Sequence, residues 1–79
     1  MISKQYIKDL DFQTIEDIYK YIVDSEINGA ISQFKELINK LSQEQFKDFL
    51  AYIDDFGYMN EDHEAQQKFK NKVINARGL

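Results

Sequence analysis

The chain has no cysteine, no proline, one histidine, one arginine and three glycines among 79 residues. Without cysteine there is no disulfide, no thiolate metal site and no cysteine nucleophile. Gly29, Gly57 and Gly78 are the only glycines, and no stretch has a linker's composition. Neither a repeat nor a low-complexity tract divides the chain, so one domain spanning residues 1–79 is expected. Long apolar runs are missing too. The longest, Phe49-Leu50-Ala51-Tyr52-Ile53, falls far short of the roughly 18 residues of a membrane-spanning helix. Met1-Ile2-Ser3-Lys4-Gln5-Tyr6 carries no signal-peptide apolar region, and Ile2 stands where a myristoylation signal needs glycine. A cytoplasmic protein is the expectation, with no membrane partner.

What is present is aromatic and aliphatic. Six Phe and five Tyr make up 14% of the residues. Domains under roughly 80 residues have little core, and need a metal, disulfides, oligomerisation or very good packing. Large aromatic side chains bury much area each and suit this constraint. Association with a second copy, as a homodimer, is the other route open. Ile, Lys, Asn, Phe and Tyr are residues of AT-rich codons, which suggests a low-GC bacterium, its phage or a mobile element as the source.

The periodicity is helical almost throughout. Ile27, Ala30, Phe34, Leu37 and Leu41 recur at spacings of three and four, with Ile31 and Ile38 beside them and Ser32, Gln33, Lys35, Glu36, Asn39 and Lys40 opposite. This pattern predicts a core-facing helix over 27–41 as the centre of the fold. A second helix starts near Thr14, where Thr14 and Asp17 form a capping pair, and buries Ile15, Ile18, Tyr19, Ile22 and Val23. The apolar phase shifts between Val23 and Ile27. Ser25 capping a new helix, Asn28-Gly29 ending the old one, or one helix bent at Gly29 all account for it; a break within 24–29 is preferred. Ser42 and Gln45 spell a capping box, with Leu41 and Phe46 at staple positions. Phe46, Phe49, Leu50, Ile53 and Phe56 follow on one face, up to Gly57. Asn60 is placed to cap a last helix bearing Ala65, Phe69, Val73 and Ala76, which Gly78 ends. Ile2, Tyr6, Ile7 and Leu10 are spaced for a short first helix, although Asp9 and Asp11 oppose its dipole. The fold class is therefore all-α: a bundle of four helices, or five if residues 1–12 form one.

Chemical motifs are scarce. With Gly57 at position 6 of a calcium loop, positions 1, 3, 5 and 12 fall on Tyr52, Asp54, Phe56 and His63, of which one is suitable. His63 lacks a second nitrogen or sulfur ligand nearby, so a surface position among acids suits it better than a metal site. Ser25, Ser32 and Ser42 lack a histidine at any motif spacing, and no glycine-rich phosphate loop exists. No cofactor, metal site or enzymatic role is expected.

Charge is the remaining lead. The net charge is −4, which weighs against a dedicated nucleic-acid binder. Acids and bases are also segregated. Asp48, Asp54, Asp55, Glu61, Asp62 and Glu64 lie in a segment, 48–67, that holds no Lys or Arg; Lys68, Lys70, Lys72 and Arg77 follow with no further acid. The expected function is a non-enzymatic protein-interaction module, an inhibitor or adaptor that docks on another protein with a basic surface, or a mimic of DNA phosphates. Its predicted face is Glu44, Asp48, Tyr52, Asp55, Tyr58, Met59, Glu61 and Asp62, in which carboxylates steer and aromatic or Met side chains anchor. The alternative is a nucleic-acid-binding regulator using Lys68, Lys70, Lys72 and Arg77 on the last helix. Acids in the first turn of that helix and bases later are also what a helix dipole favours, with Glu64 and Lys68 an i,i+4 pair.

Overall fold

The structure is a computed structural model that describes residues 1–56 and 63–78, apart from the side chains of Phe56 and His63. Gly57, Tyr58, Met59, Asn60, Glu61 and Asp62, on which several of the expectations above fall, lie outside the described residues, as does Leu79. Five α-helices and no strand occur among the described residues: α1 (Lys4–Asp9), α2 (Ile15–Ile27), α3 (Ile31–Lys40), α4 (Gln43–Phe56) and α5 (His63–Ala76). The all-α bundle is observed, with the short first helix as its fifth member. No helix among the described residues is long and apolar enough to cross a membrane.

Local side-chain chemistry sets most boundaries. Ser3 caps α1, its hydroxyl accepting from the Tyr6 amide at 3.1 Å. Thr14 and Asp17 form a reciprocal box at α2. The Thr14 hydroxyl accepts from the Asp17 amide, and the Asp17 carboxylate accepts from the Gln13 and Thr14 amides at 3.0 and 3.1 Å. Those backbone donors, Gln13 first, hold the Asp17 carboxyl below its ordinary pKa. Ser42 and Gln45 repeat the device at α4, at 2.9 and 3.1 Å, and the staple residues Leu41 and Phe46 are both buried. Two helices end in Schellman motifs. At α2, Ala30 N–H donates to Ser25 and Gly29 N–H to Glu26, with Gly29 at φ 81°. At α1, Phe12 N–H donates to Ile7 and Asp11 N–H to Lys8, with Asp11 in the same left-handed conformation at φ 62°. Gly78, at φ 78°, closes α5.

Gly29 corrects the expectation of one helix over 27–41. The chain reverses there, and Ser25 is no cap: its hydroxyl donates to the Tyr21 carbonyl within α2 at 2.8 Å. Ile27 and Ile31 end on either side of the turn, 59% and 43% exposed, and Ala30 is exposed between them. The centre passes to α2, where Ile18, Tyr19, Ile22 and Val23 are all at most 1% exposed. Around it pack Phe34, Leu37 and Ile38 of α3, Phe46, Phe49 and Ile53 of α4, and Phe69 and Val73 of α5. Neighbours are α2 with α3 and α4, and α5 with α3 and α4.

Ile2 is corrected as well. It precedes α1 rather than sharing its face, and is buried. The capping residue Gln45 holds it: Ile2 N–H donates to Gln45 Oε1 at 3.0 Å, and Gln45 Nε2 donates to the Ile2 carbonyl at 2.8 Å. One side-chain amide thus caps a helix and ties the start of the chain to it.

Candidate acidic interface

The capping box fixes where α4 begins, and so which residues face out. With Phe46, Phe49 and Ile53 buried, Glu44, Asp48, Ala51 and Asp55 form an exposed stripe. Among the described residues, neither Glu44, Asp48 nor Asp55 lies within ion-pair distance of a cation. A shallow cleft of about 300 Å³ opens beside the N-terminal half of this stripe, between Ile15 and Tyr19 of α2 and Glu44, Gln45 and Asp48 of α4.

Tyr19 forms the link between core and stripe. Its ring lies against Phe49 and Tyr52, with centroids 5.2 and 5.4 Å away. Its hydroxyl donates to Asp48 Oδ2 at 2.8 Å and reaches the Gln45 carbonyl at 3.3 Å. Burial pushes the Tyr19 hydroxyl well above its ordinary pKa; the hydrogen bond to Asp48 and the charges of Asp48 and Glu16 push the same way. The phenol therefore stays a donor, and holds one oxygen of Asp48 in place. The other oxygen, Oδ1, makes no hydrogen bond among the described residues.

Tyr52 does not belong to this face. It is 9% exposed and packs in the core against Tyr19 and Phe49. Steps of four residues overshoot a helical turn by roughly 40° each, so the second step from Glu44 swings Tyr52 towards the core. Asp55, three residues further, swings back. Over the described part of α4 the stripe thus holds three carboxylates and Ala51, and no aromatic side chain. Tyr58, Met59, Glu61 and Asp62, the other members of the expected face, lie outside the described residues. Asp54 turns the other way: it accepts from Lys70 at 3.0 Å and from Gln66 at 3.0 Å, and these bonds, Lys70 first, lower its carboxyl pKa.

The basic side chains of α5 are each engaged within the fold. Lys68 lies 3.8 Å from Glu64, Lys70 pairs with Asp54, and Lys72 reaches Glu26 of α2 at 2.9 Å. Arg77 is not displayed on a free helix face. Its Nη1 donates to the Ile38 and Leu41 carbonyls at the end of α3, and its guanidinium lies over the Phe46 ring, 4.9 Å from the centroid. Among the described residues, no three His, Asp or Glu side chains come together as a metal site.

Two of these features escaped the sequence reading. The Tyr19–Asp48 contact joins residues 29 apart, and its only signal was a phenol in a fully apolar stripe, which needs a partner for its hydroxyl. The capping of α3 by Arg77 spans 36 to 39 residues and left no local signal. Comparison with protein-family models, with curated proteins and with solved structures finds no match to this chain.

Proposed function

We propose that this protein is a non-enzymatic interaction module that docks the carboxylate stripe of α4 on a basic surface of another protein, as an inhibitor or adaptor. One observation carries this reading. Glu44, Asp48 and Asp55 are exposed with no cation partner among the described residues, whereas the three lysines of α5 each lie within ion-pair distance of a carboxylate of the same chain. Exposed carboxylates along one helix face speed encounter with a basic surface and disfavour wrong partners. Asp48 adds fixed geometry, since the Tyr19 hydroxyl holds it.

The test is charge reversal at Glu44 and Asp55, whose side chains make no hydrogen bond or ion pair among the described residues; Asp48 is spared because it accepts the Tyr19 hydroxyl. Immobilised wild type and the Glu44→Lys/Asp55→Lys variant are exposed to bacterial lysate, with and without nuclease. The expected result is a stoichiometric protein on the wild type, insensitive to nuclease and released by salt. The variant should retain it at least about tenfold less well. Equal retention by the variant would falsify the reading. Recovery that disappears with nuclease would move the function to the nucleic-acid alternative on α5.

A further inference from the structure

A second concavity lies on another side of α4. Gln43, Phe46, Lys47 and Leu50 of α4, with Ile74 of α5 and Arg77 just beyond its end, line a groove of about 540 Å³. Its floor is apolar: the Phe46 ring, Leu50 and Ile74. Its two charged residues are both cations, and neither has a carboxylate partner among the described residues. Arg77 in particular is a fixed charge. Two backbone carbonyls hold Nη1, and the Phe46 ring lies under the guanidinium. This leaves Nε and Nη2 without hydrogen bonds inside the described residues. Those two atoms form the edge of a guanidinium that takes a carboxylate through two parallel bonds.

Size selects the class of occupant. A stable protein interface buries about 800 Å² on each side, and this groove is six residues around two helical turns. Its volume falls instead in the range of small-molecule sites, about 300–1,000 Å³. Gln43 to Leu50 spans roughly 10 Å along the helix, the reach of an extended tail of roughly eight to ten carbons. We propose that the α4–α5 groove binds a small amphipathic carboxylate, with its apolar tail on Phe46, Leu50 and Ile74 and its carboxylate on Arg77 and Lys47. The site is separate from the acidic stripe and does not depend on it.

Decanoate is the probe and decyltrimethylammonium, with the same tail and opposite charge, is the control. Both are titrated below micelle formation into the ¹⁵N-labelled full chain. Expected are saturable amide shifts confined to Phe46, Lys47, Leu50, Ile74, Arg77 and their neighbours with decanoate, and binding at least about tenfold weaker with the cation. Arg77 also caps α3, so Lys47→Glu is the informative variant; its side chain is exposed. It should weaken decanoate about tenfold while leaving the rest of the spectrum unchanged. Equal binding of both amphiphiles, shifts scattered over the molecule, or no saturable shift would each overturn the proposal.

Discussion

Tyr19 carries two jobs in one side chain. Its ring fills the middle of the core, 1% exposed, and its hydroxyl meets Asp48 at the surface. Removing the hydroxyl alone separates them. Tyr19→Phe should cost about 1 kcal/mol at neutral pH, a net hydrogen bond, and lower the thermal midpoint by about 4–8 °C for a domain of this size. The alkaline behaviour gives the sharper readout. The folded pKa is raised, so the contribution is fully present below the unfolded tyrosine value and is lost as pH rises beyond it. Wild-type stability should therefore fall from about pH 10 upward, at about 1.4 kcal/mol per pH unit from this group. Denaturant titrations at pH 9, 10 and 11 should show a shallower fall in Tyr19→Phe. Parallel slopes would mean that the phenol ionises as readily folded as unfolded. At this scale the sequence was half legible. The stripe that buries Tyr19 is local, but its partner Asp48 is set by how α2 meets α4.

Helix ends were the most legible elements, because capping chemistry is written within four residues. Thr14 with Asp17 and Ser42 with Gln45 both form the boxes their spacing predicts. Asn28-Gly29 ends α2, one of the three endings that the shift in apolar phase allows. The apolar period concealed the consequence of that ending. Ile27 and Ile31 continue the spacing of three and four across Gly29, so pattern alone joins two helices that the backbone separates. A residue at φ 81° rotates everything after it, and periodicity cannot register that. The spacing puts Tyr52 on the surface for a similar reason, since steps of four drift around the helix. Gly29→Ala tests the turn directly. A Cβ there meets nothing within 4 Å, so any cost is conformational rather than steric. The variant should lose about 1–2 kcal/mol, measured by denaturant midpoint at unchanged slope. Gly29→Asn should lose less, as Asn tolerates this conformation better. Asp11, at φ 62° in the equivalent position of α1, shows that this chain already accommodates a side chain there.

Across the whole molecule, charge is arranged in two classes. Some carboxylates hold the fold: Asp17 caps α2, Asp54 joins α4 to α5 through Lys70, and Glu26 joins α2 to α5 through Lys72. Others, among them Glu44, Asp48 and Asp55, have no cation partner among the described residues. Acid separates the classes. Asp17 and Asp54 have folded pKa values below the ordinary 3.8, so their contribution is present above that value and is lost as pH falls through the lower, folded one. Glu44 and Asp55 make no side-chain hydrogen bond or ion pair among the described residues, so replacing them by neutral amides removes no such contact. Thermal midpoints should therefore change little from pH 7 to pH 5 and fall below about pH 4. The variant Asp17→Asn/Asp54→Asn should be less stable at pH 7 and show a flatter acid limb, whereas Glu44→Gln/Asp55→Asn should keep the wild-type limb. If the second variant flattened the acid limb instead, the α4 stripe would be holding the fold together, and its carboxylates would not be free to meet a partner.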